Sequence, residues 1–406
     1  MEINTDIQKI DEILSRSVDT VYPDKESLRN LLTSGKQISV YVGIDPTADY
    51  VHLGHSTNYL ILERLHKLGH KIIVLVGDYT AMIGDPSDKT SARAQMTRKD
   101  VQHNLGSFKE QIAKILNFKD TENPIELKFN SEWLSKLRFE EIIKLATNFT
   151  VQQILERDMF EKRMAENKPL YVHEFFYPLM QGYDSVVLNI DLEIGGTDQT
   201  FNMLAGRILS RRYLNKEKFV LTTTLLTNPV TGEKMMSKSL GTGIGLNETP
   251  ENIFGKIMAL PDECMIQMFI DCTRLSKDKI KKKINRLKSG ENPKDIKLEL
   301  AHEITKMYHG QNVANATQIS WENTFSNKGL PNFMQKIKAK SGSLLTDIFL
   351  DQKLVKSKTQ ARRLIKDGAV KDIDIGTKIT DPQTAFTSPM RLKVGKKNFI
   401  QIVVSD

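Results

Sequence analysis

Between about residues 38 and 224, short β-rich apolar runs alternate with longer amphipathic stretches. The runs ISVYVGID and KIIVLVGD are predicted strands, and the segment between them, HSTNYLILERLHKLGH, has the apolar spacing of a helix. Gly69 fits the end of that helix, where a residue in the left-handed conformation closes the last turn. Strands that alternate with helices are typical of a covered parallel sheet, so the pattern predicts an α/β fold.

Two further apolar runs extend the predicted sheet. SVVLNIDLEIGG is a predicted strand that ends in Gly195 and Gly196, whose missing side chains let the backbone approach a ligand. FVLTTTLL is the next predicted strand.

The β pattern fades at Glu248, and helical periodicity continues to about Phe325, which predicts a second, helical domain. Within it, residues 271–300 carry ten basic and five acidic side chains, including Lys281, Lys282 and Lys283. Such a segment is either a solvated helix face or a surface for a polyanion, and the composition leaves both open.

A third domain is predicted after a stretch rich in Lys, Gly, Asn and Ser that has the composition of a linker. SLLTDIFLDQKL and KSKTQARRLIKDG are predicted short helices, and a small β-ribbon begins at VKDIDIG. The predicted boundaries are 1–245 for the α/β domain, 246–325 for the helical domain, 326–341 for the linker and 342–406 for the last domain.

The second of these short helices is amphipathic. Ser357 fits its N-terminal cap and Gly368 its end. The spacing predicts that its apolar residues pack inward and its basic residues face outward. The inward set is Ala361, Leu364 and Ile365, and the outward set is Arg362, Arg363 and Lys366.

The composition is that of an ordinary globular protein of 406 residues, 39% apolar and 27% charged, for which two or three domains are expected. The longest apolar runs fall far short of the ~20 residues of a membrane span, and the acidic N-terminal segment does not resemble a secretory signal. Cys264 and Cys272 are the only cysteines, too few for a disulfide framework or an all-thiolate metal site. A reducing cytoplasm is the predicted compartment.

The net charge of +8 is concentrated at the C-terminal end of the chain. From Pro331 to Asp406, 12 Lys and 3 Arg stand against 7 Asp and no Glu, whereas acidic and basic residues balance in the first 330. A basic domain attached to a neutral body favours a polyanion partner, most simply nucleic acid, with a solvated charged face as the alternative.

The strongest candidate for chemistry is HLGH, in which His52 and His55 flank Gly54 where a strand gives way to a helix. Unpaired N–H groups at a helix N-terminus attract phosphate, and neutral imidazoles donate hydrogen bonds to phosphate oxygens. Glycine lets a flat base or ribose lie against the backbone. The alternative is a metal site, which needs a third ligand that the nearby sequence does not mark.

A second candidate is the glycine-bounded segment GEKMMSKSLGTG, which contains Lys234 and Lys238. Lysines in a mobile loop can stabilise charge on a leaving pyrophosphate, although such segments are usually exposed loops without a function. A GxxxxGK(S/T) phosphate loop is missing from the sequence, as is a GxGxxG motif at the first strand. These absences argue against a P-loop nucleoside triphosphatase and a dinucleotide oxidoreductase.

Together these segments resemble the class I aminoacyl-tRNA synthetases, in which a His-x-Gly-His box and a KMSKS loop hold ATP in a Rossmann-type fold. The corresponding boxes here are HLGH at His52–His55 and MMSKS at Met235–Ser239. YVGIDPTADYVHLGH, GDYTAMIGDPSDKTSAR, YPLMQGYD and IGGTDQ are similar to the tyrosine-specific branch in order and spacing. Thr197 stands where the tryptophan-specific branch usually has Glu.

This resemblance implies a Rossmann-type parallel-sheet catalytic domain, an α-helical anticodon-binding domain and a small α+β S4-like RNA-binding domain. It implies activation of L-tyrosine with ATP to tyrosyl-adenylate and transfer of the tyrosyl group to the 3′ end of tRNA(Tyr). ATP would then be a substrate that brings Mg²⁺ with it, without a tightly bound protein metal. The implied partners are tRNA(Tyr) and a second subunit in a homodimer.

In the tyrosine pocket that the resemblance implies, Tyr41 and Asp184 contact the substrate phenol, so phenylalanine would leave buried polar groups unpaired. The spacing of Tyr177, Gln181 and Asp184 independently places these three residues on one helical face. The other implied tyrosine-binding residues, which include acceptors for the substrate ammonium, are Asp85, Tyr177, Gln181 and Gln199.

For the nucleotide, the resemblance implies catalysis by positioning and by stabilisation of phosphate charge, without a protein nucleophile. The implied catalytic residues are Thr47, His52, His55, Lys89, Arg93, Lys238 and Ser239. The implied ATP-binding residues are Gly43, Asp45, Gly54, Gly196, Asp198 and again Lys238. In the S4-like domain, the implied RNA-binding residues are Arg362, Arg363 and Lys366.

Two positions depart from the family pattern. Met235 stands where the loop motif begins with Lys, and Lys234 lies one residue earlier, so either Lys234 substitutes or Lys238 acts largely alone. Val42 stands where many members have Cys, which removes a contact to ribose. Two alternative functions stay open: an RNA-binding protein that retains a synthetase scaffold, and a related class I synthetase that charges tryptophan or a tyrosine analogue.

Overall fold

The computed structural model describes residues 2–87, 96–236, 242–325, 334–352, 354–355, 357–395 and 398–404. It divides into two units, Met1–Thr317 and Gln318–Asp406, each of which has its own sheet. Within these described ranges, every helix is too short or too polar to span a membrane.

A six-stranded sheet forms the centre of the first unit. Its strands are β1 (Val18–Tyr22), β2 (Ser39–Ile44), β3 (Lys71–Val76), β4 (Glu126–Phe129), β5 (Leu192–Gly196) and β6 (Phe219–Thr223). They lie in the order β1-β6-β5-β2-β3-β4; β1 pairs antiparallel with β6, and the other neighbours pair in parallel. Five consecutive residues of β3, Ile72 to Val76, are buried, as expected for a parallel strand covered on both faces.

Helices connect and cover these strands. They are α1 (Ile7–Ile13), α2 (Lys25–Thr33), α3 (Leu53–Lys67), α4 (Thr80–Ile83), α5 (Arg98–Leu105), α6 (Phe108–Ile112), α7 (Ser131–Leu134), α8 (Phe139–Ala146), α9 (Val151–Leu155), α10 (Asp158–Ala165), α11 (Val172–Val187) and α12 (Thr200–Leu214). A helical region follows, with α13 (Pro250–Met258), α14 (Met265–Cys272), α15 (Lys277–Lys288), α16 (Pro293–His309) and α17 (Gln311–Phe325). The predicted α/β fold with a Rossmann-type parallel sheet is confirmed.

The strand order places a crevice at the centre of the sheet. From β2 the chain passes through α3 to β3 on one side, whereas from β5 it passes through α12 to β6 on the other. Because β2 and β5 are neighbours, the chain leaves their carboxyl ends in opposite directions. In open α/β sheets this switch point is where ligands bind.

One predicted strand is only half correct. Within SVVLNIDLEIGG, Ser185 to Val187 form the last turn of α11, and β5 occupies only Leu192–Gly196. Asn189, in the left-handed conformation at φ 48°, turns the chain between the two. The error arose because a buried helix end and a buried strand are equally apolar, and periodicity does not separate them.

The second unit is a small α+β body. Its sheet has the order β7-β11-β10-β8-β9, and its helices are α18 (Leu345–Asp351) and α19 (Lys358–Lys366). The strands are β7 (Gln335–Ala339), β8 (Val370–Asp372), β9 (Lys378–Ile379), β10 (Met390–Val394) and β11 (Asn398–Val404). As predicted, Ser357 caps α19 by accepting a hydrogen bond from the Gln360 N–H at 3.1 Å, and Gly368 adopts φ +64° after its end.

Part of the predicted linker is a strand. β7 lies within the stretch 326–341 and pairs in parallel with β11. Ile337, at the centre of β7, is buried in the core of the second unit, while its neighbours in QKIKA are mostly polar. A single buried residue among polar ones gave too little apolar signal to distinguish an edge strand from a linker. The remaining predicted domain boundaries stay predictions.

Candidate active site

A cavity of about 590 Å³ opens at the carboxyl ends of β2 and β5, where the strand order predicts a ligand site. Every tyrosine-binding and nucleotide-binding residue that we predicted and that the structure describes lines this cavity. These residues are Tyr41, Gly43, Asp45, Thr47, His52, Gly54, His55, Asp85, Tyr177, Gln181, Asp184, Gly196, Asp198 and Gln199. Lys89, Arg93, Lys238 and Ser239 lie outside the described residues, so their predicted placement is not tested.

One end of the cavity contains Tyr41 and Asp184, both buried. The Tyr41 hydroxyl is 3.1 Å from the Ser185 hydroxyl. The carboxylate of Asp184 accepts hydrogen bonds from the indole N–H of Trp133 at 2.7 Å and from the side-chain amide of Asn130 at 3.2 Å. These donors hold the carboxylate in place, so this end offers a phenol and a fixed carboxyl group to a ligand.

Burial controls the ionisation of both groups. It raises the pKa of Tyr41 well above its ordinary value, and the negative charges of Glu193 and Asp184 add to that effect. Burial also raises the pKa of Asp184, while the N–H groups of Trp133 and Asn130 act in the opposite direction. Tyr41 therefore remains a neutral phenol that can exchange hydrogen bonds with a ligand hydroxyl.

Asp45 lies directly after β2 and is held by two hydroxyl groups. Its carboxylate accepts hydrogen bonds from Tyr177 at 2.9 Å and from Thr80 at 2.8 Å. Gly77, at the exit of β3, leaves the space for this arrangement, because a side-chain Cβ there would collide with the Asp45 carboxylate and the Thr80 hydroxyl. Burial and the charge of Asp45 raise the pKa of Tyr177.

Asp85, which also lines the cavity, is the centre of a second group of contacting polar side chains. Its carboxylate accepts a hydrogen bond from the Gln199 amide at 2.7 Å and lies 3.2 Å from the guanidinium of Arg157. Arg157 is buried and also contacts the Ser87 hydroxyl. Asp85 and Gln199, predicted to bind the same substrate, are therefore in direct contact.

The histidines of HLGH also line the cavity, at the N-terminus of α3. Their rings stack at a centroid separation of 3.7 Å, and the backbone N–H of His52 donates to Nδ1 of His55 at 3.2 Å. A Cβ on Gly54 would lie 3.1 Å from the His52 ring and 3.3 Å from the Cβ of Met236. Glycine therefore permits the close packing of this box against the MMSKS segment.

The structure explains the departure at Met235. Its side chain is buried, whereas the Lys234 side chain lines the cavity and places Nζ 3.3 Å from the carboxylate of Asp198. Lys234 thus places an ammonium group in the cavity beside Asp198, and its substitution for the first lysine of the motif stays a prediction. In the described ranges, no three His, Cys, Asp or Glu side chains are grouped to hold a metal ion, and the metal alternative for His52 and His55 is not tested further.

Sequence reasoning missed a buried ion pair beside the cavity. Glu193 of β5 lines the cavity at 1% exposure and pairs with Lys218, which is fully buried just before β6. Burial lowers the pKa of Lys218, and the charge of Glu193 opposes that effect. The available signal was a lone acidic residue inside the apolar run LEIGG, because charged residues are almost never fully buried unless they are paired.

In the second unit, α19 presents its basic residues as predicted. Ala361 and Ile365 are buried and Leu364 packs against the same core. Arg362, Arg363 and Lys366 are exposed. This pattern creates a basic helix face available to a polyanion.

Comparisons with known proteins agree with this geometry. Residues 33–326 match the family described as tRNA synthetases class I (W and Y). The chain is 40% identical over 397 residues to the tyrosine–tRNA ligase of Moorella thermoacetica, covering 96% of this chain and 94% of that protein. It is 39% identical to that of Carboxydothermus hydrogenoformans, covering 97% of each.

Solved structures support the fold. A C-terminally truncated mitochondrial tyrosyl-tRNA synthetase of Aspergillus nidulans superposes with a TM-score of 0.65 at 22% identity, covering 79% of this chain and 94% of that one. The tyrosyl-tRNA synthetase of Archaeoglobus fulgidus, solved with L-tyrosine, gives 0.60 at 22% identity, covering 77% and 100%. With near-complete matches at about 40% identity and the family model over residues 33–326, the chain belongs to the tyrosine–tRNA ligase family of class I tRNA synthetases.

Proposed function

We propose that the chain activates L-tyrosine with ATP to tyrosyl-adenylate and pyrophosphate, and then transfers the tyrosyl group to the 3′ end of tRNA(Tyr). The observation that carries this proposal is one cavity lined both by Tyr41 and Asp184, which suit a phenol, and by His52 and His55, which suit phosphate oxygens. Both reactants of the first step would meet in this cavity.

Tyrosine would bind with its phenol between Tyr41 and Asp184. The substrate hydroxyl would make hydrogen bonds that phenylalanine cannot make. Bound phenylalanine would therefore leave desolvated polar groups unpaired, which weakens its binding. The substrate ammonium would lie among hydrogen-bond acceptors that line the same cavity, of which Asp85 also contributes a negative charge. The remaining acceptors of this group are Tyr177, Gln181 and Gln199.

The first step is attack of the tyrosine carboxylate on the α-phosphorus of ATP, which breaks the bond to pyrophosphate. The protein contributes by aligning the reactants and by stabilising phosphate charge. His52 and His55 would contact the phosphates from the N-terminus of α3, where backbone N–H groups and the helix dipole favour anions, and Thr47 would contact them from the segment between β2 and α3. Lys234 would approach from the loop side, as would Lys89, Arg93, Lys238 and Ser239, which stay predictions.

The adenosine part would lie along the glycine backbone at the ends of β2 and β5. Gly43 and Gly196 line the cavity there, and Asp198 follows directly, where its carboxylate can accept from ribose hydroxyls. Mg²⁺ would enter on the phosphates of ATP, where it neutralises charge. Binding through the phosphates of ATP does not require three protein ligands grouped around the ion, and the described residues contain no such group.

The RNA partner would be bound by basic surfaces outside the cavity. α15 carries Lys281 and Lys282 as exposed residues, and α19 exposes Arg362, Arg363 and Lys366. Phosphate contacts of this kind position RNA and depend strongly on salt. We also propose that the protein acts in the cytoplasm, where tRNA is charged.

A homodimer is also part of the proposal. Phe139 and Ile143 on α8, Val151 on α9 and Val172 on α11 are large apolar residues that are at least 49% exposed. Their helices pack around one apolar cluster that includes Leu145. Exposed apolar groups at this density are typical of a protein–protein interface, and a second copy of the chain would cover them.

Pyrophosphate exchange tests the proposal. Purified protein is incubated with ATP, labelled pyrophosphate and tyrosine, phenylalanine or tryptophan, and label in ATP is measured. We expect exchange with tyrosine alone, followed by charging of tRNA(Tyr). Exchange with tryptophan would establish the other branch of the family, and RNA binding without any exchange would establish a scaffold that has lost catalysis.

A further inference from the structure

The buried ion pair between Glu193 and Lys218 lies next to the predicted ammonium-binding group. The Lys218 ammonium donates to the Glu193 carboxylate and to the Met203 carbonyl at 3.1 Å. Gly206 on α12 creates the space, because a Cβ at that position would contact the Lys218 ammonium and lie 2.8 Å from the Ser185 hydroxyl. The local packing is therefore built around this pair.

Stability alone does not account for such a pair. Removing two charges from water costs several kcal/mol per ion, and apolar residues of similar volume often stabilise a fold equally well. Only Glu193 of the two lines the cavity. Any role of the pair in ligand binding therefore depends on the side chains that Glu193 contacts in the cavity.

Glu193 contacts Gln181 of α11. The Gln181 Nε2 donates to Glu193 Oε1 at 3.0 Å. A carboxylate paired with an ammonium accepts hydrogen bonds and donates none, so only the NH₂ end of the amide can face it. Gln181 also lines the cavity, so its carbonyl Oε1 is the end of the amide left for a ligand.

We propose that Glu193, paired with Lys218, is a positioning residue that fixes the Gln181 amide so that its carbonyl accepts a hydrogen bond from the substrate ammonium. The reversed amide would present two N–H donors to a cation and repel it. Lys218 compensates the carboxylate charge and holds it in place. This inference rests on the proposed function, because it assigns an orientation within the tyrosine site.

Two double variants separate positioning from packing. Glu193→Met with Lys218→Met removes both charges and the acceptor at similar volume. Glu193→Gln with Lys218→Met removes both charges but keeps an oxygen that can accept from Gln181. The probes, measured by calorimetry, are tyramine, which has the ammonium but no carboxylate, and 3-(4-hydroxyphenyl)propionate, which has no ammonium.

We expect the first variant to bind tyramine about 10-fold to 100-fold more weakly, the range for a lost hydrogen bond involving a charged group. Its affinity for 3-(4-hydroxyphenyl)propionate falls far less, with any change coming from the contact of Glu193 with Ser185 beside Tyr41, and the second variant restores most of the tyramine affinity. Equal weakening of both ligands would show a packing defect and overturn the inference. Unchanged tyramine binding in the first variant would also overturn it.

A crystal structure of the unmodified chain with tyramine gives an answer that does not depend on variant folding. The inference requires one end of the Gln181 amide on Glu193 and the other within about 3.2 Å of the ligand ammonium. An ammonium without a contact to Gln181 would contradict it. Failure of the proposed function would look different, since the unmodified chain would then show no tyrosine-dependent exchange.

Discussion

At the scale of single residues, the proposed function makes selectivity depend on one hydroxyl and one carboxyl group, those of Tyr41 and Asp184. Tyr41 and Asp184 are buried, and both are held by neighbours rather than by solvent. A site built in this way penalises a ligand that leaves its polar groups unpaired. We therefore propose that the discrimination between tyrosine and phenylalanine depends on these two side chains.

Tyr41→Phe tests this assignment. Removing the hydroxyl deletes one neutral hydrogen bond, and we expect kcat/KM for tyrosine in pyrophosphate exchange to fall about 5-fold to 10-fold. Activity with phenylalanine should not fall. Tyr308→Phe is the matched control, because Tyr308 is a buried tyrosine on α16 outside the cavity. An equal loss with both variants would show that Tyr41 does not recognise the phenol.

Sequence patterns located some of the cavity residues and the family resemblance located the others, but neither identified the residues that support them. HLGH and the spacing of Tyr177, Gln181 and Asp184 were visible because they combine unusual residue types with helical periodicity. Trp133, Asn130 and Lys218 were not, because their importance comes from contacts to residues at least 25 positions away. Such pairings are set by topology, which a single sequence does not encode as a local pattern.

At the scale of elements, α11 and α12 approach closely through glycines. A Cβ on Gly182 would lie 2.9 Å from the Cδ1 of Leu209 and 3.1 Å from the backbone N of Gly206. α11 carries three residues of the predicted tyrosine site, so its distance from α12 sets their positions. The contact between the two helices is therefore part of the site.

Gly182→Ala should push these helices apart. We expect a loss of about 1–3 kcal/mol in the free energy of unfolding, typical of overpacking, together with a raised KM for tyrosine. Denaturant titration and exchange kinetics measure the two effects. Gly255→Ala on α13 is the control, because no atom lies within 4 Å of its Cβ position and alanine favours helices. A stable Gly182→Ala variant with normal KM would contradict the assigned role of this contact.

Element boundaries show where sequence analysis succeeds. The unit β2–α3–β3 was predicted because strand and helix periods alternate clearly and Gly69, at φ +96°, ends the helix. The boundary between α11 and β5 was misplaced because both sides are apolar. β7 was missed because one buried Ile337 does not make an alternating pattern.

At the scale of the whole molecule, charge separates two tasks. The surplus of basic residues lies in the last 76 residues, whereas the cavity lies in the first unit. We therefore propose that the reaction with ATP belongs to the first unit and that the second unit adds RNA contacts. Changes to one task should therefore leave the other intact.

Replacing Arg362, Arg363 and Lys366 with alanine tests the separation. Affinity for RNA falls as salt rises, and each lost phosphate contact makes the slope of log affinity against log salt less steep. We therefore expect the magnitude of this slope for tRNA(Tyr) to decrease by about 2–3. Tyrosine-dependent exchange should be unchanged. The control replaces the exposed Lys9, Lys25 and Lys36 of the first unit. If the control lowers the slope equally, or if exchange falls with RNA binding, the division of tasks is wrong.

Phe139→Asp tests the proposed dimer. The Phe139 side chain is 76% exposed in the single chain, and a charge placed in an apolar interface is left without a partner. We expect sedimentation to show a dimer for the unmodified chain and a monomer for the variant. If both proteins are dimers, the interface lies elsewhere on the chain. If both are monomers, the proposed dimer does not form.

The most direct measurement is a crystal structure with L-tyrosine bound. The account predicts the substrate phenolic oxygen within about 3.2 Å of both the Tyr41 hydroxyl and the Asp184 carboxylate, with the substrate carboxylate turned toward His52 and His55. A phenol at the histidine side of the cavity, or a tyrosine bound outside it, would contradict the account.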